Sequence, residues 1–113
     1  MKALYPVRIY YDELDSVYYV DARDFGLEGE KLTYGSSYLT AYENAEEALN
    51  LLLMDYESEH DGGSAPEASI LAPYETYIHV DTMKYKMQMD MQRYFELQRK
   101  IVSNSEMIPV PLS

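Results

Sequence analysis

Between Tyr38 and Tyr56 the apolar residues recur at spacings of three and four: Tyr38, Ala41, Tyr42, Ala45, Ala48, Leu49, Leu52 and Tyr56. On a helix these share one face, while Glu43, Glu46, Glu47 and Asn50 point away from it. Ser37 stands just before the pattern. A serine hydroxyl takes up an amide hydrogen left unpaired in a first helical turn, so the helix is expected to start at Tyr38. Asp61-Gly62-Gly63-Ser64-Ala65-Pro66 supplies the glycines and proline that end a helix. The expectation is a helix that covers a sheet and carries a solvated acidic back.

Upstream of Ser37 the pattern alternates instead. Tyr5 to Tyr11 reads as a strand with Val7 and Ile9 on one face and Arg8 and Tyr10 on the other. Pro6 is expected at its start, because proline cannot donate to a ladder. Val17 to Ala22 is a second strand, and the short acidic link Asp12-Glu13-Leu14-Asp15-Ser16 makes the pair an antiparallel hairpin. Lys31 to Tyr34 follows a glycine-punctuated loop as a short third strand, and Thr76 to Asp81 reads as a fourth. From Met83 the residues Met83, Tyr85, Met87, Met89 and Met91 alternate like a strand, while Met83, Met87, Met91, Tyr94 and Phe95 match a helical stripe. Methionine, glutamine, lysine and arginine are good helix formers, which favours a helix from Met83 to about Val102. The result is an α+β fold: a small antiparallel sheet of three or four strands, a long covering helix and a second, C-terminal helix. Residues 1–82 form the α+β domain, 83–103 the helix and 104–113 an extended or disordered tail that carries Pro109 and Pro111.

Charge narrows the choice of partner. Nine basic residues against twenty acidic ones give a formal charge of −11, which repels phosphate backbones and suits a small basic protein. The same charge also serves solubility. Thirteen tyrosines, against two phenylalanines and no tryptophan, suit half-buried strands and interfaces equally. The absence of cysteine excludes a disulfide framework and a thiolate metal site. The first residues reach Arg8, Asp12 and Glu13 before any apolar run of signal-peptide length, and no later stretch is long enough to span a bilayer. A cytoplasmic protein without membrane contact is expected.

Several segments, taken in order, resemble the HicB antitoxin family, the acidic partners of HicA toxins. They are Tyr5-Pro6-Val7 in a first strand, Asp24-Phe25-Gly26-Leu27 as a turn, and Gly35-Ser36-Ser37 before a helix that carries Ala41, Glu43-Asn44-Ala45 and Glu47-Ala48-Leu49. Asp61-Gly62, Ala65-Pro66-Glu67-Ala68-Ser69 and Val80-Asp81 continue the pattern, which covers residues 5 to 85. The resemblance implies a partial ribonuclease H-like fold used to bind and cover a small basic messenger-RNA interferase. Many members of the family add a C-terminal DNA-binding segment. After Asp81 this sequence shows one helix and no turn-plus-second-helix signal, so DNA is expected to be bound only indirectly or weakly.

Candidate contacts for a basic partner are Asp12, Glu13, Asp15, Tyr18, Asp21 and Asp24 near the hairpin, with Glu43, Glu46 and Glu47 on the helix. Met83, Met87, Met91, Tyr94 and Phe95 are candidates for self-association or core packing, since methionine and aromatic stripes at helical spacing are usually buried. Two alternatives remain. A metal-dependent nuclease would gather Asp12, Glu13, Asp15, Asp21 and Asp24 about two ions, and a DNA-binding autoregulator would gather Lys84, Lys86, Arg93, Arg99 and Lys100 on one surface. His60 and His79 lack zinc-site spacing, and no serine sits in an elbow motif. The balance favours a binding protein without catalytic residues, metal or cofactor.

Overall fold

The structure, a computed structural model, describes residues 1–26, 30–59 and 65–105. Four strands form one antiparallel sheet: β1 (Lys2–Asp12), β2 (Val17–Asp21), β3 (Thr33–Gly35) and β4 (Thr76–Asp81), in the order β3-β2-β1-β4. Helix α1 (Tyr38–Glu59) packs on one face of the sheet, and α2 (Thr82–Ser105) follows β4. The α+β class, the hairpin, the start of α1 and the span of β4 match the sequence pattern. The helical choice for the methionine run also holds.

β1 serves two partners in succession. Lys2 to Val7 pair with β4, and Arg8 to Asp12 pair with β2. Pro6 therefore lies inside the ladder, opposite Tyr77, rather than at the beginning of the strand. The β2 ladder stops at Arg8, so beside Pro6 no β2 residue is left wanting an amide hydrogen, and a central strand keeps its proline there. β3 begins two residues later and ends one residue later than the expected Lys31 to Tyr34. It starts at Thr33 and ends on Gly35, where α1 presses closest.

The core lies between α1 and one face of the sheet. Tyr5 and Val7 of β1, Val20 of β2, and Ile78 and Val80 of β4 meet Ala41, Ala45, Leu49 and Leu53 of α1, all of them buried. Alanines at the first two buried positions of α1, Ala41 and Ala45, let the helix approach the sheet closely, and Gly35 completes that approach. A Cβ on Gly35 would lie 2.3 Å from the Ala41 amide nitrogen and 2.8 Å from its Cα. Ser37 caps α1 as expected, its Oγ accepting from the Thr40 amide at 3.1 Å.

Three positions on α1 depart from the expected pattern. Leu53, absent from the expected packing face, is fully buried. Tyr38, placed on the packing face, is half exposed at the helix start. Asn50, placed on the wet face, is 3% exposed. Its Oδ1 accepts from the Asp81 amide at 3.1 Å and its Nδ2 donates to the Glu46 carbonyl at 2.8 Å. Tyr42 reaches the same edge, donating to the Tyr77 carbonyl at 3.4 Å. The two α1 side chains thus occupy backbone groups along the outer edge of β4, a row that would otherwise invite another strand.

A 3₁₀ turn at Arg23–Phe25 and the segment 65–75 close the end of the core. Tyr5 packs against the tilted ring of Phe25, centroids 4.9 Å apart, and donates to the Pro66 carbonyl at 2.6 Å, and burial pushes its phenol pKa up. Glu75 has a 7% exposed side chain that receives Arg23 Nε at 2.9 Å and Nη2 at 3.0 Å as well as the Ala72 amide at 2.7 Å. The chain divides into two units between Thr82 and Met83. In the second unit α2 presents Met83, Met87, Met91, Tyr94 and Phe95 to solvent. Asn104 and Ser105, expected in the tail, belong to α2, while the stop signal at 61–64, His60 and residues 106–113 lie outside the described residues.

Candidate partner-binding surface

Because side chains alternate along a strand, each strand gives half its residues to the core and half to the face turned away from α1. On that outer face Tyr10, Tyr19 and Tyr34 form one row across three strands, Tyr10 opposite Tyr19 and Tyr19 opposite Tyr34. Their ring centroids are 6.2 and 6.4 Å apart. Aromatic cross-strand pairs of this kind stabilise a sheet and leave ring faces available to solvent.

Two cations lie on the row. The Arg8 guanidinium stands 4.6 Å from the centre of the Tyr10 ring. Lys31 Nζ stands 4.8 Å from Tyr10 and 5.6 Å from Tyr19, donates to the Tyr10 hydroxyl, and lies 3.5 Å from Asp21 Oδ1. The hydrogen bond to Tyr10 and the charge of Asp21 raise the Lys31 pKa above its ordinary value. Tyr19 donates to Asp15 Oδ2, a bond that pushes its own pKa up to about 12.

The expected contact residues fall into distinct places. Asp21 and Asp15 belong to the outer-face cluster. Asp12 shapes the hairpin, its Oδ1 accepting from the Asp15 amide at 2.9 Å, while Ser16 closes the turn at a φ of +54°. Glu13 is exposed in the same turn. Tyr18 faces the opposite way, packed with Tyr11 at 5.1 Å and Tyr38 at 6.2 Å on the α1 side. Asp24 holds the core-closing segment by accepting from the Ser69 amide at 2.8 Å and from its hydroxyl. Glu43, Glu46 and Glu47 are exposed on the back of α1, across the core from the tyrosine row. Apart from Asp24, the acidic candidates therefore divide between two surfaces, hairpin and outer face on one side and helix back on the other.

Sequence reasoning placed Arg8 and Tyr10 off the core face but did not name the row they join. The signal was the same alternation, carried across to Tyr19 and Tyr34. Among the described residues no three of His, Asp and Glu come together as a metal site. On α2, Lys84 and Lys86 are two residues apart and so project in directions about 200° apart, which spreads the basic side chains around the helix. No helix among the described residues is long and apolar enough to cross a membrane.

The chain shares its fold with a chain of a solved structure described as a toxin–antitoxin complex from Streptococcus pneumoniae. The TM-score is 0.59 at 19% sequence identity, over 93% of this chain and 99% of that one. No family model and no curated protein matches the sequence.

Proposed function

We propose that this chain is an antitoxin-like protein that binds and neutralises a small basic toxin, of the HicA ribonuclease type, by covering the surface with which the toxin engages RNA. One observation carries the reading. A body folded like a chain of a toxin–antitoxin complex holds seventeen acidic side chains against four basic ones between Met1 and Thr82, a formal charge of −13. A charge of that size speeds encounter with a cationic protein and excludes anionic ones. It acts by steric and electrostatic cover rather than by catalysis. The outer-face tyrosines supply the aromatic area that anchors an interface, and the surrounding carboxylates set rate and selectivity. A second copy of the chain is the natural cover for the methionine and aromatic stripe of α2.

Affinity capture of the tagged chain from its native lysate at moderate salt tests the proposal. Near-stoichiometric recovery of a small basic protein, released by high salt, is the expected result. That protein should cleave RNA alone and stop when the chain is added back. Recovery of the chain by itself from a lysate in which it is well expressed overturns the reading.

A further inference from the structure

Lys31 is surrounded by the groups that proteins use to recognise a cation: the faces of two tyrosine rings, a phenol oxygen and a carboxylate. Arg8 occupies the same Tyr10 ring at 4.6 Å and makes no ion pair among the described residues. Two of the four cations of a body with formal charge −13 are thus drawn to one aromatic pair. The Lys31 and Asp21 side chains are 39% and 33% exposed, so each bond holding the amine competes with water and is individually weak. Nothing in the core depends on the amine, and Tyr34, 60% exposed, continues the row with a third ring.

We infer that Tyr10, Tyr19 and Asp21 form a recognition site for an arginine or lysine side chain of a basic protein partner, and that in the free chain Lys31 is a placeholder the partner's cation displaces. The inference rests on the reading of the chain as a binder of a basic protein, and it names the point of contact. Exchange is cheap on both sides. The outgoing amine returns to water from an exposed site, and the incoming group finds ring faces and a carboxylate already arranged. An arginine gains most, because its planar guanidinium stacks on a ring while forking to a carboxylate, which an ammonium cannot do. Asp15 stays engaged with Tyr19 and keeps that ring oriented while the cations exchange. The Lys31 side chain is thereby a gate on selectivity: a weakly basic or poorly shaped surface does not repay its displacement.

The test titrates the full chain with a tetra-arginine peptide, following the tyrosine ring resonances by NMR. Lys31→Met should bind the peptide about three- to fivefold more tightly than the unaltered chain, with the Tyr10 and Tyr19 signals moving most. Adding Tyr19→Leu to Lys31→Met should return the affinity to the starting value. Lys2→Met is the control for charge. It removes the same charge from the outer face, where Lys2 pairs with Asp81 at 3.9 Å, and should leave affinity within about twofold. Equal gains from Lys31→Met and Lys2→Met, or shifts centred on Glu43, Glu46 and Glu47, overturn the inference in favour of general charge attraction. Absence of peptide binding by every variant also overturns it. None of these outcomes alters the lysate capture, so the contact and the overall function fail separately.

Discussion

The two faces of the sheet are made by the same four strands, yet they obey different rules. Toward α1 the strands give Val7, Val20, Ile78 and Val80, which meet alanines and leucines with no solvent between them. Away from α1 they give Arg8, Tyr10, Tyr19, Tyr34 and Asp21, joined by ring contacts and exposed polar bonds. The covered face is fixed by packing, where a single atom out of place is felt. The outer face is fixed by weak and exchangeable contacts, which is what a surface needs if it is to give up one set of partners for another. On the proposed reading, stability and recognition are thus assigned to alternate residues of the same strands.

The widest separation between the faces should appear at Gly35. Alanine there puts a Cβ against the α1 backbone at Ala41, which cannot turn aside as a side chain could. Urea unfolding of Gly35→Ala should show a loss of about 3 kcal/mol or more, or no folded protein. Leu53→Ala, which empties a fully buried site, should cost about 3 kcal/mol. Tyr34→Ala, one residue from Gly35 but on the outer face, should cost less than about 1 kcal/mol. Comparable losses at Tyr34 and Leu53 would show that the outer face is a second core, and the contrast would fail.

The covered face was the more legible from sequence. Val7 and Ile9 against Arg8 and Tyr10 announced the alternation, and the three-and-four spacing from Ala41 to Leu49 announced the helix that fits it. Asn50 escaped because helical spacing sorts residues by polarity, while this side chain is buried for what it bonds, a strand edge set by a segment thirty-one residues later. Pro6 escaped because the strand exchange along β1 is a property of the whole sheet. The tyrosine row needed cross-strand register, which no local pattern supplies. A list of exposed acids could not separate the Asp21 cluster from Asp24, which serves the core-closing segment. Lys31 read as an ordinary strand residue, and only the fold shows that it lies over two rings.

Asn50→Ala tests the rim where the faces meet. It removes the acceptor from the Asp81 amide and leaves β4 partly unguarded, at a cost of about 2 kcal/mol. Amide hydrogen exchange should accelerate first at Asp81. The Arg23–Glu75 fork, half exposed on the arginine side, is weaker. The hydrogen bonds from Arg23 hold the Glu75 carboxyl below the usual carboxylate range. A depressed folded pKa gives stability that is complete above the unfolded value and lost as pH falls through the folded one. Glu75→Gln should therefore cost about 1 kcal/mol at pH 7 and progressively less below about pH 4.5, as a series of denaturant titrations would show. A penalty that stays constant down to pH 2.5 would mean that the carboxylate charge is irrelevant and that only the shape of the segment matters.

The smallest effect belongs to the hairpin end of the tyrosine row, and it bears on how the outer face is held ready. The Tyr19 phenol, raised to about 12 by its bond to Asp15, keeps its proton well beyond the pH at which an ordinary tyrosine ionises. Because the folded value is raised, the contribution is complete below the unfolded value near 10 and disappears as pH climbs through the folded one. Asp15→Ala should bring the Tyr19 ionisation, followed through labelled ring carbons, back toward the ordinary value and lower the midpoint of unfolding slightly at pH 7, the difference from the unaltered chain fading as pH climbs through the folded value. The Tyr10 signal should broaden as well, since a ring no longer tethered at its neighbour's hydroxyl presents Lys31 with two separate faces instead of one oriented pair. If Tyr19 continues to ionise near 12 in Asp15→Ala, the shift comes from the sheet itself and not from the turn, and the hairpin has no part in orienting the row.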